Sequence, residues 1–276
     1  MAELEAGAAS DDVKTLHKMG YAQELARNMG HFSNFAISFS IICILSGGIN
    51  SLAQGTSGVG GAALGIGWLV GGACALLFSL CMAQISSAYP TAGGLYHWSS
   101  ILGGRFWGWL TAWFNLIGLI TVLAAINVGT YYFFIGSFAP MLGITDTYTT
   151  KVGFMVLITG AHALINHLGI KTTTRLTDFS GYLILGGAIL LTVSLLIFAK
   201  GHDVSRLWTF TNFSGDAGGG VWPATTSIPM LFLLGLLLPI YTLTGYDASA
   251  HTSEETLMAA KHVPTAIIHS VFWAVL

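Results

Sequence analysis

One acid and two runs of small residues hold most of the chemistry this sequence offers. Asp247 closes the stretch Thr242-Leu243-Thr244-Gly245-Tyr246-Asp247, which follows Pro229 and Pro239 inside an apolar segment. Toward the other end of the chain, Ser46-Gly47-Gly48-Ile49-Asn50 interrupts a second apolar run. Glycine in a helix interior costs about 1 kcal/mol relative to alanine, and proline about 3 kcal/mol. Taken singly, each break reads as a tolerated kink or a close-packing point. Taken as a pair in two apolar segments, they read as a solute site, because unwinding frees peptide groups that lipid cannot satisfy and a small solute can. A half-helix N-terminus adds partial positive charge suited to a carboxylate. An acid at membrane depth costs about 3 kcal/mol on insertion scales, so such acids face a cavity or a partner. Asp247 also lies near enough to the end of its segment to reach water directly.

Other candidate groups point nowhere so definite. His162 and His167 are five residues apart, about 140° around a helix, which suits one metal ion poorly. No HExxH motif and no Ser-His-Asp set is legible, so the chain is read as no enzyme and as needing no cofactor. Cys43, Cys74 and Cys81 fall within apolar runs and read as small apolar residues, with no CxxC pair among them. The run Gly58 to Ala63 spells GxGxxA, but it follows an apolar helix rather than a strand, so the mechanism behind a dinucleotide fingerprint is missing.

The elements that must position these groups follow from composition. The chain has 276 residues, of which 54% are hydrophobic and only 8% are Asp, Glu, Lys or Arg. Soluble domains carry about 25% charged residues, so an ordinary wet globular surface is excluded. Charges are absent between Arg27 and Arg105, Arg105 and Asp146, Lys151 and Lys171, and Asp178 and Lys200. Each gap holds one or two membrane helices, since roughly 20 apolar residues cross the hydrocarbon core. Helices are nearly forced, because an open sheet edge cannot sit in lipid.

The pattern predicts span 1 at about Asn34 to Gln54, span 2 at Leu64 to Ala88 and span 3 at Phe106 to Phe138. Span 4 follows at Val152 to Leu168, span 5 at Phe179 to Ala199 and span 6 at Ile228 to His251. Pro264 to Leu276 reads as the opening of a seventh span that the sequence cuts short. Residues 1–31 precede the membrane part, 32–276. With the N-terminus in the cytoplasm, Lys14, Lys18, Arg27, Arg105, Lys171, Arg175 and Lys261 lie inside, and Lys151, Lys200 and Arg206 lie outside. That balance favours an N-terminus inside. The net charge of -2 says little about partners, because the few charges are scattered among loops; the apolar composition makes the lipid bilayer the expected surroundings, with no nucleic acid as partner.

Three motifs resemble one known family. The first is Gln84-Ile85 with Tyr89-Pro90-Thr91-Ala92-Gly93-Gly94-Leu95-Tyr96-His97-Trp98. The second is Ser46-Gly47-Gly48, and the third runs from Thr244-Gly245-Tyr246-Asp247-Ala248 to His262-Val263-Pro264. Together they resemble the amino acid–polyamine–organocation transporters, nearest the branch with 4-aminobutyrate and choline permeases, over nearly all of Tyr21 to Leu276.

The resemblance implies an all-α integral membrane fold of inverted repeats, with discontinuous helices 1 and 6. Only the first six to seven helices are present, so the chain reads as an N-terminal part of a longer one. It implies a secondary active transporter in the cell membrane, moving an amino acid or small amine by alternating access, with a proton or sodium ion as possible coupling ion. Carried over, Ser46, Gly47, Gly48 and Ile49 would meet the substrate carboxylate. Leu243, Thr244 and Gly245 would offer carbonyls to its amine, and Tyr241 would close over it. Tyr96 and Asp247 would gate the inner side, with the Pro-Thr-Ala-Gly-Gly stretch as the turn between spans 2 and 3. Gln84 stands where many relatives carry Glu, which removes that residue as a proton carrier. A choline or quaternary-amine carrier with an aromatic cage, and a non-transporting amino-acid sensor of the same fold, are the alternative functions.

Overall fold

A computed structural model describes residues 2–42, 44–215 and 221–276, with side chains from residue 10 onward except that of residue 170. Cys43, one of the three cysteines expected inside a span, lies outside the described residues. Regular structure among the described residues is helical, apart from one isolated parallel bridge between Met29 and Thr256. Five helical runs are long and apolar enough to cross a membrane: His31–Ala63, Ile66–Ala88, Arg105–Ser137, Tyr148–His167 and Lys171–Phe198.

The chain begins with α1 (Ala2–Lys18), followed by α2 (His31–Ile42) and α3 (Ile44–Val59), which together cover span 1. A short 3-10 turn at Gly60–Ala63 leads into α4 (Ile66–Ala88), span 2. Pro90 stands two residues past the end of α4, where its missing N–H cannot break the ladder. The Thr91–Gly93 turn then hands over to α5 (Gly94–Gly103), which the sequence reading had not anticipated between spans 2 and 3. Gly104, with φ of 87°, makes the corner into α6 (Arg105–Ser137), span 3. After the short α7 (Ala139–Leu142) comes α8 (Tyr148–His167), span 4, whose first turn is capped by the Thr147 hydroxyl accepting from the Thr150 N–H at 3.1 Å. Span 5 is α9 (Ile170–Phe198).

Span 6 arrives in pieces: α10 (Ile228–Gly235), α11 (Leu237–Thr242) and α12 (Ala248–His251). Last is α13 (Ala259–Val275), at the place expected for span 7. Here the structure corrects the expectation that Pro264 opens that helix. Pro264 lies inside it, five residues after Ala259. The helix starts early because the Asp12 carboxylate accepts from the N–H groups of Met258 at 2.8 Å and Ala259 at 3.2 Å, a cap supplied from far away in sequence.

The chain divides into two compact units, residues Met1–Gly94 with Thr177–Leu276, and residues Leu95–Leu176. In the first, Phe39, Ile42, Ile184, Leu243, Val271 and Ala274 form one buried cluster, drawn from spans 1, 5, 6 and 7. A second cluster of Val59, Ala62, Ala63 and Leu231 joins the far end of span 1 to α10. The glycine-rich turn that mimics a dinucleotide fingerprint has a steric purpose in this unit. A Cβ on Gly61 would sit 2.2 Å from the Arg206 carbonyl oxygen, and one on Gly65 2.1 Å from that of Leu207. The loop before span 6 therefore rests directly on this backbone. In the second unit, the Tyr131 hydroxyl donates to Asp146 at 2.5 Å and Asn127 donates to Thr159 at 3.2 Å, joining spans 3 and 4.

Candidate functional site

The break in span 6 is where the sequence predicted it. Leu243 to Asp247 leave the helix between α11 and α12, with Gly245 at a φ of 100°. That conformation admits glycine readily and other residues rarely. Packing enforces the same choice, because a Cβ on Gly245 would lie 2.5 Å from Ile41 Cγ2. Across the break the Leu243 N–H still bonds the Pro239 carbonyl at 2.9 Å, and the Ala248 N–H bonds that of Gly245 at 3.2 Å. Among the described residues, no donor is bonded to the carbonyls of Tyr241, Leu243 or Thr244. These acceptors are outside a helix ladder, the type of group that could take an ammonium.

Span 1 behaves differently, and here the sequence expectation is corrected. Ser46, Gly47, Gly48 and Ile49 are helical, as is every residue of α3. Their small size serves close packing instead. A Cβ on Gly47 would lie 3.4 Å from Thr242 Cα, one on Gly55 2.8 Å from Leu238 Cδ2, and one on Gly58 3.2 Å from the Leu231 carbonyl oxygen. A stripe of small residues thus lets α3 approach α10 and α11 backbone to backbone, as small-xxx-small spacing does in lipid. Ser51 completes the stripe: its hydroxyl donates to the Gly47 carbonyl at 2.5 Å and lies 3.2 Å from the Thr242 hydroxyl. Ile49 is 63% exposed, so its side chain closes nothing among the described residues.

The halves of spans 1 and 6 nearer the N-terminal segment are tied by polar groups that the sequence reading missed. Asn34, fully buried, donates to the Ser249 carbonyl at 3.0 Å and to the hydroxyls of Thr252 at 2.9 Å and Thr256 at 3.0 Å. Ser38 donates to the Tyr246 carbonyl at 2.8 Å and accepts from the Ser249 N–H at 2.9 Å. The Ser249 hydroxyl donates to the Asn34 carbonyl at 2.8 Å. Ser38 thereby satisfies a carbonyl and an amide released by the break. Only a four-residue spacing of Asn34 and Ser38 on one helix face hinted at this, and that pattern is common.

Asp247 is half-buried with a partner that was also missed. His251 Nε2 lies 3.6 Å from the Asp247 carboxylate, and its Nδ1 is 3.3 Å from the Ala92 carbonyl. Gly94 packs on the same ring, since a Cβ there would meet the imidazole at 3.0 Å. The Pro-Thr-Ala-Gly-Gly turn is therefore joined to the end of span 6 through His251. Leu243 buries its side chain in the core and offers the break only its carbonyl. Tyr241 is half-buried and Thr244 exposed at the break. Tyr96 sits in α5, on the other compact unit, and is half exposed.

These features define a class: a multi-pass, all-α membrane protein whose sixth span is broken beside a close-packed first span. The chain belongs to the amino acid permease family, whose sequence model matches residues 29–276. It is similar to amino-acid permease BAT1 of Arabidopsis thaliana, 36% identical over 271 residues, covering 93% of this chain and 51% of that protein. The BAT1 homolog of Oryza sativa is 35% identical over 281 residues, covering 98% and 53%. Amino-acid permease 2 of Neurospora crassa is 30% identical over 275 residues, covering 93% and 48%. The chain thus spans about half the length of the curated relatives it matches.

Proposed function

We propose that this chain forms the first half of a secondary carrier that moves an amino acid across a membrane by alternating access. The observation that carries the reading is the unwound stretch Leu243 to Asp247, with carbonyls at Leu243 and Thr244 outside any backbone ladder and a glycine that neither its φ nor Ile41 would let be anything larger. Family membership and the names of the relatives support an amino acid as the solute.

In this reading the substrate ammonium is held by the carbonyls of Leu243, Thr244 and Gly245, while Tyr241 closes over the side chain. The carboxylate faces the small-residue stretch Ser46, Gly47, Gly48 and Ile49 of span 1. Asp247 and Tyr96 take part in closing the inner side, and a gradient of protons or sodium ions supplies the driving force. Residues 1–31 and the His251 end of span 6 lie on the cytoplasmic face, and residues 32–276 form the transmembrane part, in a cell membrane.

The test is uptake by the full-length protein in proteoliposomes against a panel of labelled amino acids, 4-aminobutyrate and choline. Uptake of at least one amino acid is expected, with Tyr241→Ala raising KM more than it lowers the maximal rate. A correctly inserted protein that binds amino acids without moving them would refute the carrier. Uptake of choline alone would refute the substrate class.

A further inference from the structure

The residues ahead of span 1 do more than lead into it. From Asp12 to Met29 they hold the loop that joins span 6 to span 7, with a set of hydrogen bonds directed at that loop's backbone. The Asp12 carboxylate caps the start of α13 at Met258 and Ala259. Arg27 donates through Nη1 to the carbonyls of Ser253 at 3.1 Å and Thr256 at 2.6 Å. The two side chains lie 3.6 Å apart and are only 7% and 10% exposed, so this is no loose surface pair. The N–H groups of Asn28 and Met29 both reach the Glu255 carbonyl, at 3.0 and 2.9 Å, and the Leu257 N–H returns to the Met29 carbonyl at 3.0 Å. Gln23 adds a bond to the Glu254 carbonyl at 3.0 Å. Leu16 and Met29, both fully buried, are the apolar anchors.

Two features make this arrangement suited to release. Backbone-directed hydrogen bonds exchange for bonds to water when the strap peels away, at small net cost for the neutral ones; the charge-assisted bonds of Asp12 and Arg27 carry most of the hold. Met258 is held at a φ of 52°, a left-handed conformation that a methionine rarely adopts, and the Asp12 cap is what faces it. Strain of this type relaxes when the cap leaves. The strapped loop continues directly into α12, which Asn34 and Ser38 bind to the beginning of span 1.

We propose that residues Asp12 to Met29 are an intramolecular latch, which holds the span 6–span 7 loop and the neighbouring ends of spans 1 and 6 closed and lets go when the binding site opens to that side. The idea rests on the alternating-access reading for its purpose, though not for its existence.

Hydrogen exchange followed by mass spectrometry, on the purified full-length protein in lipid nanodiscs, tests it. In Asp12→Ala and Arg27→Ala, amides of residues 248–262 should exchange at least tenfold faster, while α4 and α6 keep wild-type protection. Asp12→Asn, which keeps shape and one acceptor, should lie between. The same variants should change the ratio of efflux to influx in proteoliposomes, since the latch biases one facing state. Unchanged exchange in all three variants overturns the latch. So does a rise throughout the protein in Asp12→Asn, because the strap would then be part of the global fold and not a releasable element. Local loss of protection in a protein that transports nothing would keep the latch and overturn the carrier. Local loss with an unaltered efflux-to-influx ratio would overturn the latch as a gating device.

Discussion

Replacing Gly245 by alanine asks whether the break in span 6 is built into the backbone. Two effects oppose the new methyl. A non-glycine residue at a φ near 100° costs about 1–3 kcal/mol in backbone strain. The Cβ would also fall 2.5 Å from Ile41 Cγ2, about 1 Å inside ordinary contact, and overpacking of this type costs about 1–3 kcal/mol. The sum is roughly 2–6 kcal/mol against the broken conformation. The two parts separate cleanly in a double mutant. Ile41→Ala removes the offending methyl and leaves its Cβ at 3.5 Å, an ordinary distance. Gly245→Ala in an Ile41→Ala background should therefore lose only the conformational part, giving a coupling of about 1–3 kcal/mol between the sites. Reversible denaturation of the full-length protein measures the stabilities, and uptake measures the consequence for the site. Gly245→Ala with wild-type stability and uptake, or strict additivity with Ile41→Ala to within about 0.5 kcal/mol, would refute the reasoning.

Further outcomes follow from the same contacts. Gly61→Ala should lower the yield of folded protein by pushing the Arg206 backbone away, whereas Gly118→Ala, with open space around it, should be neutral or stabilising by about 1 kcal/mol; thermal melting of the two side by side checks this. Asn34→Asp should destabilise more than Asn34→Ala, since it sets a buried carboxylate against the Ser249 carbonyl in place of a donor; equal melting temperatures would contradict the hydrogen-bond assignment. Glu255, in the loop between spans 6 and 7, has its carboxyl pushed above the usual range, first by burial and then by the Glu254 charge. The folded state thus holds that proton longer than the unfolded one, and stability falls as pH rises from the ordinary glutamate value through the higher folded one. Glu255→Gln should flatten that part of the stability–pH curve, which a pH series of denaturation midpoints reads directly.

How much of this was legible in advance varies with the physical cause. The spans were legible because charge is excluded from lipid over distances a sequence window resolves. Five of the expected spans stand as helices; spans 2, 3 and 4 match their predicted ends to within four residues, while the helical run of span 1 goes on to Ala63 and that of span 5 begins at Ile170. The break in span 6 was legible because prolines, a glycine and an acid crowd into one apolar segment, and few continuous helices tolerate that. The break expected at Ser46-Gly47-Gly48 was not there, since glycine has two uses that look alike in sequence. It can unwind a helix, or it can let a neighbouring backbone come close, and the choice depends on what lies opposite. Opposite Gly47 and Gly55 lie Thr242 and Leu238, so close approach prevailed.

Sequence by itself determined that this chain is a bundle of membrane helices, which spans it has, and that the sixth comes apart, because these follow from local composition and from what hydrocarbon will solvate. Tertiary structure alone decided the pairings: Asn34 and Ser38 against Ser249, His251 between Asp247 and Ala92, Asp12 at the head of α13. Each joins residues more than 150 positions apart, except His251 and Asp247, which lie one turn apart. A hydrogen bond is specified by atoms meeting within about 3 Å, and no local pattern in a chain encodes which distant group will arrive there.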